Sequence, residues 1–181
     1  MTKQEADRMC SKATQAAVRQ QADDAYIVYC ETAIALHNMG WGERKVHNLF
    51  TEVQKINDDH AEDNSRSMTQ IFFEETGIEL KPSEGDKSWE DLAYLNKAIE
   101  FDSMTPQQYT YMRARQRRWI KTELYASVFL ALHRRYGWGA SRVIELLEDI
   151  HELDRRIHSA KQARKAYTRV TGKPFIVTQV D

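Results

Sequence analysis

Ala35-Leu36-His37-Asn38-Met39-Gly40-Trp41-Gly42 and Ala131-Leu132-His133-Arg134-Arg135-Tyr136-Gly137-Trp138-Gly139 carry one pattern twice. Each has an Ala-Leu-His triplet followed by Gly-Trp-Gly, with one extra residue between them in the second copy. A pattern that recurs along a chain fixes the architecture before any local reading does, because each copy brings the same supersecondary unit. The match extends in both directions. Downstream, Val46, Leu49, Phe50 and Val53 line up with Val143, Leu146, Leu147 and Ile150, and Thr76-Gly77 lines up with Thr171-Gly172. Upstream, Met1-Thr2-Lys3-Gln4 with Met9 answers Met104-Thr105-Pro106-Gln107 with Met112. The expected organisation is therefore repeat one over 1–81, a joining segment over 82–103 and repeat two over 104–181.

Local signals predict four helices per repeat. Thr2 with Glu5, and Thr105 with Gln108, form capping boxes that open the first helix, with Pro106 at the favoured first position. Met1 and Met104 stand where a hydrophobic staple forms. A second helix is expected over 24–39 and 121–136, a third over 43–61 and 140–158, and a fourth over 65–76 and 160–171. The third carries a core stripe, Val46, Leu49, Val53 and Ile56, at i, i+3, i+7 and i+10. Trp41 and Trp138, at the corners, are expected to pack inward. Gly40, Gly42 and Gly77, and their counterparts Gly137, Gly139 and Gly172, are read as turns or helix C-caps of positive φ, with Gly85 in the joiner. A short helix from Trp89 to Phe101 is expected in the joiner, capped by Ser88. The fold class is all-α: two tandem repeats of a helical unit built around a helix–GWG–helix hairpin.

Composition agrees. The chain has 181 residues, 41% apolar and 29% charged, with three Pro and seven Gly, too few for the turns of a β-sandwich or barrel. Two cysteines, Cys10 and Cys30, exclude a disulfide framework and read as buried thiols. No apolar run approaches the ~20 residues of a membrane span, and the polar start MTKQEADRMC does not read as a signal peptide. A cytoplasmic location, inside a bacterial host cell, is the expectation.

The net charge of −1 conceals a strong split. Repeat one has 9 Lys+Arg against 14 Asp+Glu, the joiner 2 against 6, and repeat two 15 against 7. A basic half attached to an acidic one suggests an anionic partner, nucleic acid being the commonest. Arg113, Arg115, Arg117, Arg118 and Lys121 lie along the first helix of repeat two. Arg134, Arg135 and Arg142 flank its GWG turn, and Arg155, Arg156, Lys161, Arg164, Lys165 and Arg169 crowd its last helices. Eleven of the fifteen cations are Arg, which grips phosphate bidentately. A solvated face with local partners, such as Glu148 and Glu152 near Arg155 and Arg156, is the competing reading. The acidic surface, a candidate for partner binding, comprises Asp58, Asp59, Glu62, Asp63, Glu74, Glu75, Glu84 and Asp86.

The helix–GWG–helix unit also suggests a helix-turn-helix, with Ser141, Arg142 and Glu145, or Arg44, Lys45 and Asn48, presented to a groove. A scaffold hairpin explains the same residues. Catalytic chemistry finds little support. His151-Glu152 lacks the second histidine of HExxH, and no Walker loop, GxGxxG, GxSxG or CxxC occurs. His37 and His133 occupy equivalent positions, which points to a shared structural bond to a turn carbonyl. Asp58-Asp59-His60 reads as a polar helix end as readily as a cation site. No cofactor, no metal and no enzymatic activity are expected.

The start MTKQEADRMC, the GWG hairpins and the small, charge-split helical layout resemble proteins of phages and prophages of gut Firmicutes, and among them a type II-A anti-CRISPR protein, a Cas9 inhibitor. That resemblance implies binding to Cas9 or its guide RNA complex, with double-stranded DNA as a further partner, and a block on DNA cleavage without catalysis. A Cas9-type effector holds guide and target in positively charged channels, which an acidic surface can occupy. The alternative is a phage DNA-binding transcriptional regulator of helix-turn-helix type. A third reading is an adaptor that forms a homodimer through exposed helical faces.

Overall fold

The computed structural model describes residues 3–62, 65–81 and 106–176. Within them the chain is all-helical, with six helices and no strand. These are α1 (Lys3–Asn38), α2 (Glu43–Glu62), α3 (Met68–Thr76), α4 (Pro106–Tyr136), α5 (Ala140–Asp154) and α6 (Ala160–Thr171). A long helix, a medium one and a short one thus follow each other twice.

The expected first and second helices of each half are one helix. Neither Lys3–Asn38 nor Gln107–Tyr136 contains a Gly or Pro, so nothing stops propagation, and α1 runs about 54 Å unbroken. Pro106 opens α4, as expected of a residue without an N–H to satisfy. The capping residues Thr2 and Thr105, the staples Met1 and Met104, Gly85 and the joiner helix lie outside the described residues.

Each long helix ends where glycine reverses the chain. At Gly40, φ +85, the amide reaches the His37 carbonyl at 2.9 Å and the Trp41 amide reaches Leu36 at 2.9 Å. This is the paired 5→2 and 6→1 closure of a Schellman turn. At Gly137, φ +64, the amide bonds His133 at 3.0 Å, and Trp138 reaches back to Leu132 at 3.3 Å. The residue added in the second stretch is absorbed by this wider loop. His133 helps to close it, its Nδ1 2.9 Å from the Trp138 carbonyl oxygen, as the sequence suggested; His37 makes no such bond among the described residues. Gly77 and Gly172 are left-handed C-caps, whereas Gly42 and Gly139 have no positive φ. Gly139 is instead the extended N-cap of α5, and the Gly42 carbonyl accepts from the Lys45 and Val46 amides in the first turn of α2.

Both corner tryptophans point inward, Trp41 at 6% exposure and Trp138 at 3%. Their rings meet edge to face, centroids 5.6 Å apart, so the two turns abut. Around them a single core draws on both stretches of chain. Here α1 packs on α4, α5 and α6, while α4 packs on α1, α2 and α3, so each long helix lies mainly against short helices from the other half. The α2 stripe Val46, Leu49, Val53 and Ile56 is buried, as are Val143, Leu146 and Ile150 on α5. Burying each such side chain contributes roughly 1.5–3 kcal/mol. Ser67 and Ser159 cap α3 and α6 through the amides of Gln70 and Gln162. Glu123 of α4 reinforces the first cap, accepting from the Met68 amide at 2.6 Å and the Thr69 hydroxyl at 2.6 Å.

Candidate nucleic-acid interface

Much of the charge of the two halves is spent between them. Arg117 of α4 grips Asp24 of α1, its Nε 2.7 and 2.9 Å from the two carboxylate oxygens. The Asp24 side chain is only 2% exposed, so this pair is anchored in the core. Arg134 holds Glu75 of α3 through a forked contact, with Nε 3.0 Å from Oε2, and its hydrogen bond lowers the Glu75 carboxyl from its ordinary value. Arg135 pairs with Glu52 of α2 at 3.0 Å, and Lys173 with Glu43 at the start of α2 at 2.8 Å. Lys121 pairs with Asp154 of α5. These four basic candidates, Arg117, Lys121, Arg134 and Arg135, are structural at least in part. Arg118 is half-buried, and its carbonyl accepts from Thr122. Arg113 and Arg115 fall on the α4 backbone, with side chains outside the described residues.

The second group behaves differently. Helix α6, AKQARKAYTRVT, holds no acid at all. Its buried side rests on Ala163 and Tyr167; Lys161, Lys165 and Arg169 occupy the opposite, exposed side, and Arg164 is exposed on the flank. Three cations therefore line about 12 Å of one helix face, with Arg164 beside them. None has an acidic partner among the described residues; Arg164 lies over the Tyr26 ring, 5.6 Å from its centroid. Arg156 extends the patch from the end of α5, 3.6 Å from Glu152, which also takes Arg155 at 3.1 Å. A shallow groove floored by Ile34, Ile157 and Val170 runs beside Lys165 and Arg169. Arg142 stands apart at the GWG corner, 5.8 Å from the Trp138 ring.

The acidic candidates do not form one patch. Glu74 is tied to Arg66 at 2.7 Å and Glu75 to Arg134, which leaves Asp58, Asp59 and Glu62 exposed at the end of α2. Asp58 accepts from Gln54 at 2.8 Å. Asp63, Glu84 and Asp86 lie outside the described residues. The exposed side of α5 carries Glu145, Glu148, Asp149 and Glu152, an unfavourable field for a helix meant to enter a DNA groove.

Three features escaped the sequence reading. Glu31 is fully buried on α1, where Oε2 accepts from the Tyr125 hydroxyl and Oε1 has no partner. Burial pushes its carboxyl up to about 7, against the opposing pull of Lys121 and the Tyr125 hydrogen bond. The signal was available: Glu31 is the one acid in the apolar run 27–36. Cys30 is buried beside it, as the sequence suggested; what spacing did not show is that desolvation pushes its thiol up to about 12. An aromatic cleft between α2 and the segment after α6 could not be inferred from spacing. Among the described residues no group of three His, Cys, Asp or Glu side chains converges as a metal site, and no helix is long and apolar enough to cross a membrane. Set against protein-family models, curated proteins and solved structures, the chain matches none.

Proposed function

We propose that this protein acts by binding and not by catalysis, laying the cationic face of α6 on the phosphate backbone of a nucleic acid. The observation that carries this is a contrast. Arg117, Lys121, Arg134 and Arg135 are matched to acids, while Lys161, Arg164, Lys165 and Arg169 project from an acid-free helix and have no acidic partner among the described residues. Phosphate contacts release counterions, and each costs the affinity about 0.9 in the slope of log K against log salt. Four contacts give a slope of about −3.6. Binding of labelled duplex DNA across a salt series tests this. Lys165→Ala with Arg169→Ala should flatten the slope by about 2 without unfolding the chain, since both side chains are solvent-exposed. A slope shallower than −1, or one unchanged in the double variant, overturns the reading.

The anti-CRISPR reading is the more specific form of this proposal, and one further observation favours it. Asp58, Asp59 and Glu62 present an exposed acidic end on α2, so one molecule offers both an anionic surface for a basic protein channel and a cationic one for nucleic acid. Purified protein added in molar excess should then stop Cas9 cleavage, and reversing the three acids should restore it. Unaltered cleavage removes the inhibitor and leaves the regulator, with contact through α6 in place of α5. The tandem duplication belongs to the same proposal. It is supported by the two abutting GWG turns, the two serine caps and the two left-handed glycine C-caps.

A further inference from the structure

A cleft of about 240 Å³ opens between α2 and the residues that follow α6. Its walls are rings: Tyr29 from α1, Phe50 from α2, Tyr167 from α6 and Phe175 from the chain beyond. Phe175 is the hub, with its centroid 4.8 Å from Tyr167, 5.6 Å from Tyr26 and 6.0 Å from Phe50. The Tyr26 hydroxyl fixes the segment by donating to the Phe175 carbonyl at 3.2 Å. Helix α2 contributes two stripes. Val46, Leu49, Val53 and Ile56 enter the core, and the neighbouring stripe Glu43, His47, Phe50 and Gln54 faces the cleft. The polar members of that second stripe supply donors and acceptors along one edge of an otherwise aromatic slot. The volume is below the ~300–1,000 Å³ of sites for drug-sized ligands, so it suits a single flat ring system.

The position of the cleft completes the argument. Tyr167 lines it from α6, three residues from Arg164, whose guanidinium stands over Tyr26 on the far side of Phe175. Arg164 is thus the α6 cation nearest the slot, with the Tyr26 and Phe175 rings between them, while Lys161, Lys165 and Arg169 lie farther round the same helix. Aromatic walls next to a track of cations are the two parts with which proteins hold single strands: rings stack the bases and cations follow the phosphates.

We propose that this cleft is a base-stacking site, taking one unpaired nucleobase from a single strand whose phosphates run along α6. The inference rests on the nucleic-acid reading of α6 and adds strandedness to it. A duplex keeps its bases stacked internally and cannot fill the slot. One stacked base contributes about tenfold in affinity, by the usual cost of removing a stacking ring.

The test compares binding of a ten-nucleotide oligo(dT) with binding of a ten-base-pair duplex. Three proteins are measured: the full chain, Phe175→Ala and His47→Glu. Phe175 follows the last helix and His47 is exposed, so the second variant keeps the test interpretable should the first disturb the chain end. The expected result is about tenfold tighter binding to the single strand by the unaltered chain. In both variants that advantage disappears while duplex affinity stays the same. Equal binding of the two nucleic acids, unaffected by either variant, overturns the base site and leaves the α6 reading intact. Absence of binding to both overturns the α6 reading and the inference with it.

Discussion

Replacing Glu31 with Gln should stabilise the protein at neutral and alkaline pH and remove most of one component of its pH dependence. Glu31 is 0% exposed, and its carboxyl sits at about 7 in the folded chain against an ordinary 4.5. The largest cause is burial; Asp154 pushes the same way, and Lys121 and the Tyr125 hydroxyl oppose it. An acid whose value is raised by folding keeps its proton longer in the native state than in the unfolded one. Stability is therefore full below pH 4.5, falls as pH rises towards 7, and stays reduced above. The gap of about 2.5 pH units, at 1.36 kcal/mol each, amounts to roughly 3 kcal/mol. For a chain of this length that is about 6–12 °C in Tm. Gln keeps the shape and the oxygen that accepts from Tyr125, but cannot ionise. Thermal unfolding of both proteins between pH 5 and pH 8 gives the measurement. Every other titrating group, including Glu75 with its opposite shift, is common to the two and cancels in the difference. The wild-type Tm should fall relative to Glu31→Gln by about three quarters of that margin over this range, the rest being lost already at pH 5. Parallel Tm curves would mean that the carboxylate is hydrated and ionised at neutral pH, which refutes a buried, half-satisfied Glu31.

Two further outcomes follow from buried groups. Arg117→Ala should cost about 3 kcal/mol, because it strands the 2%-exposed Asp24 carboxylate, whereas Asp24→Asn should cost about 1 kcal/mol, since the 43%-exposed Arg117 returns to water; urea unfolding of both reads the asymmetry, and equal costs contradict it. In a Cys10→Ser background, Cys30 should ignore a thiol reagent at pH 8 until denaturant is added, because its thiol is buried and held near 12; rapid labelling of the native chain contradicts that burial.

Features that depend on neighbours a few residues apart were legible in the sequence. The apolar stripe Val46–Ile56, the glycine stops at Gly40 and Gly137 and the end of α3 at Thr76-Gly77 are set by i, i+3 and i+4 relations, and the structure has each near its expected position. The continuity of α1 and α4 was misread for a local reason as well. Two helices were expected in each half, yet no glycine or proline separates them, and a helix whose first part is polar and exposed can continue into an apolar, buried one. Gly42 and Gly139 show the converse: a glycine beside a turn need not be the residue that needs positive φ. Relations between distant residues were not legible. Arg117 and Asp24 are 93 positions apart, and nothing in a run of arginines says which one meets a buried carboxylate. The run Arg113–Lys121 looked like the strongest phosphate site, yet two of its described members are committed inside the molecule. The weaker-looking α6 is the acid-free surface.

The charge split therefore has two consequences that the count alone merges. In the pairs Arg117–Asp24, Arg134–Glu75, Arg135–Glu52 and Lys173–Glu43, the acid always comes from the first half and the base from the second. Three of these pairs lie at the surface, where an ion pair is worth at most about 1 kcal/mol, so their effect on stability is small beside that of the shared core. Their uniform direction matters more. With like charges on both sides, these same contacts would repel; with opposite charges, they favour the one arrangement in which α1 lies on α5 and α6 while α4 lies on α2 and α3. Each pair also withdraws a cation from solution. Four of the second half's bases lie on α6, the helix whose own sequence holds no acid to neutralise them. The same excess that pairs the two halves thus leaves the α6 cations without acidic partners among the described residues, which is the basis of the proposed contact with an anionic partner.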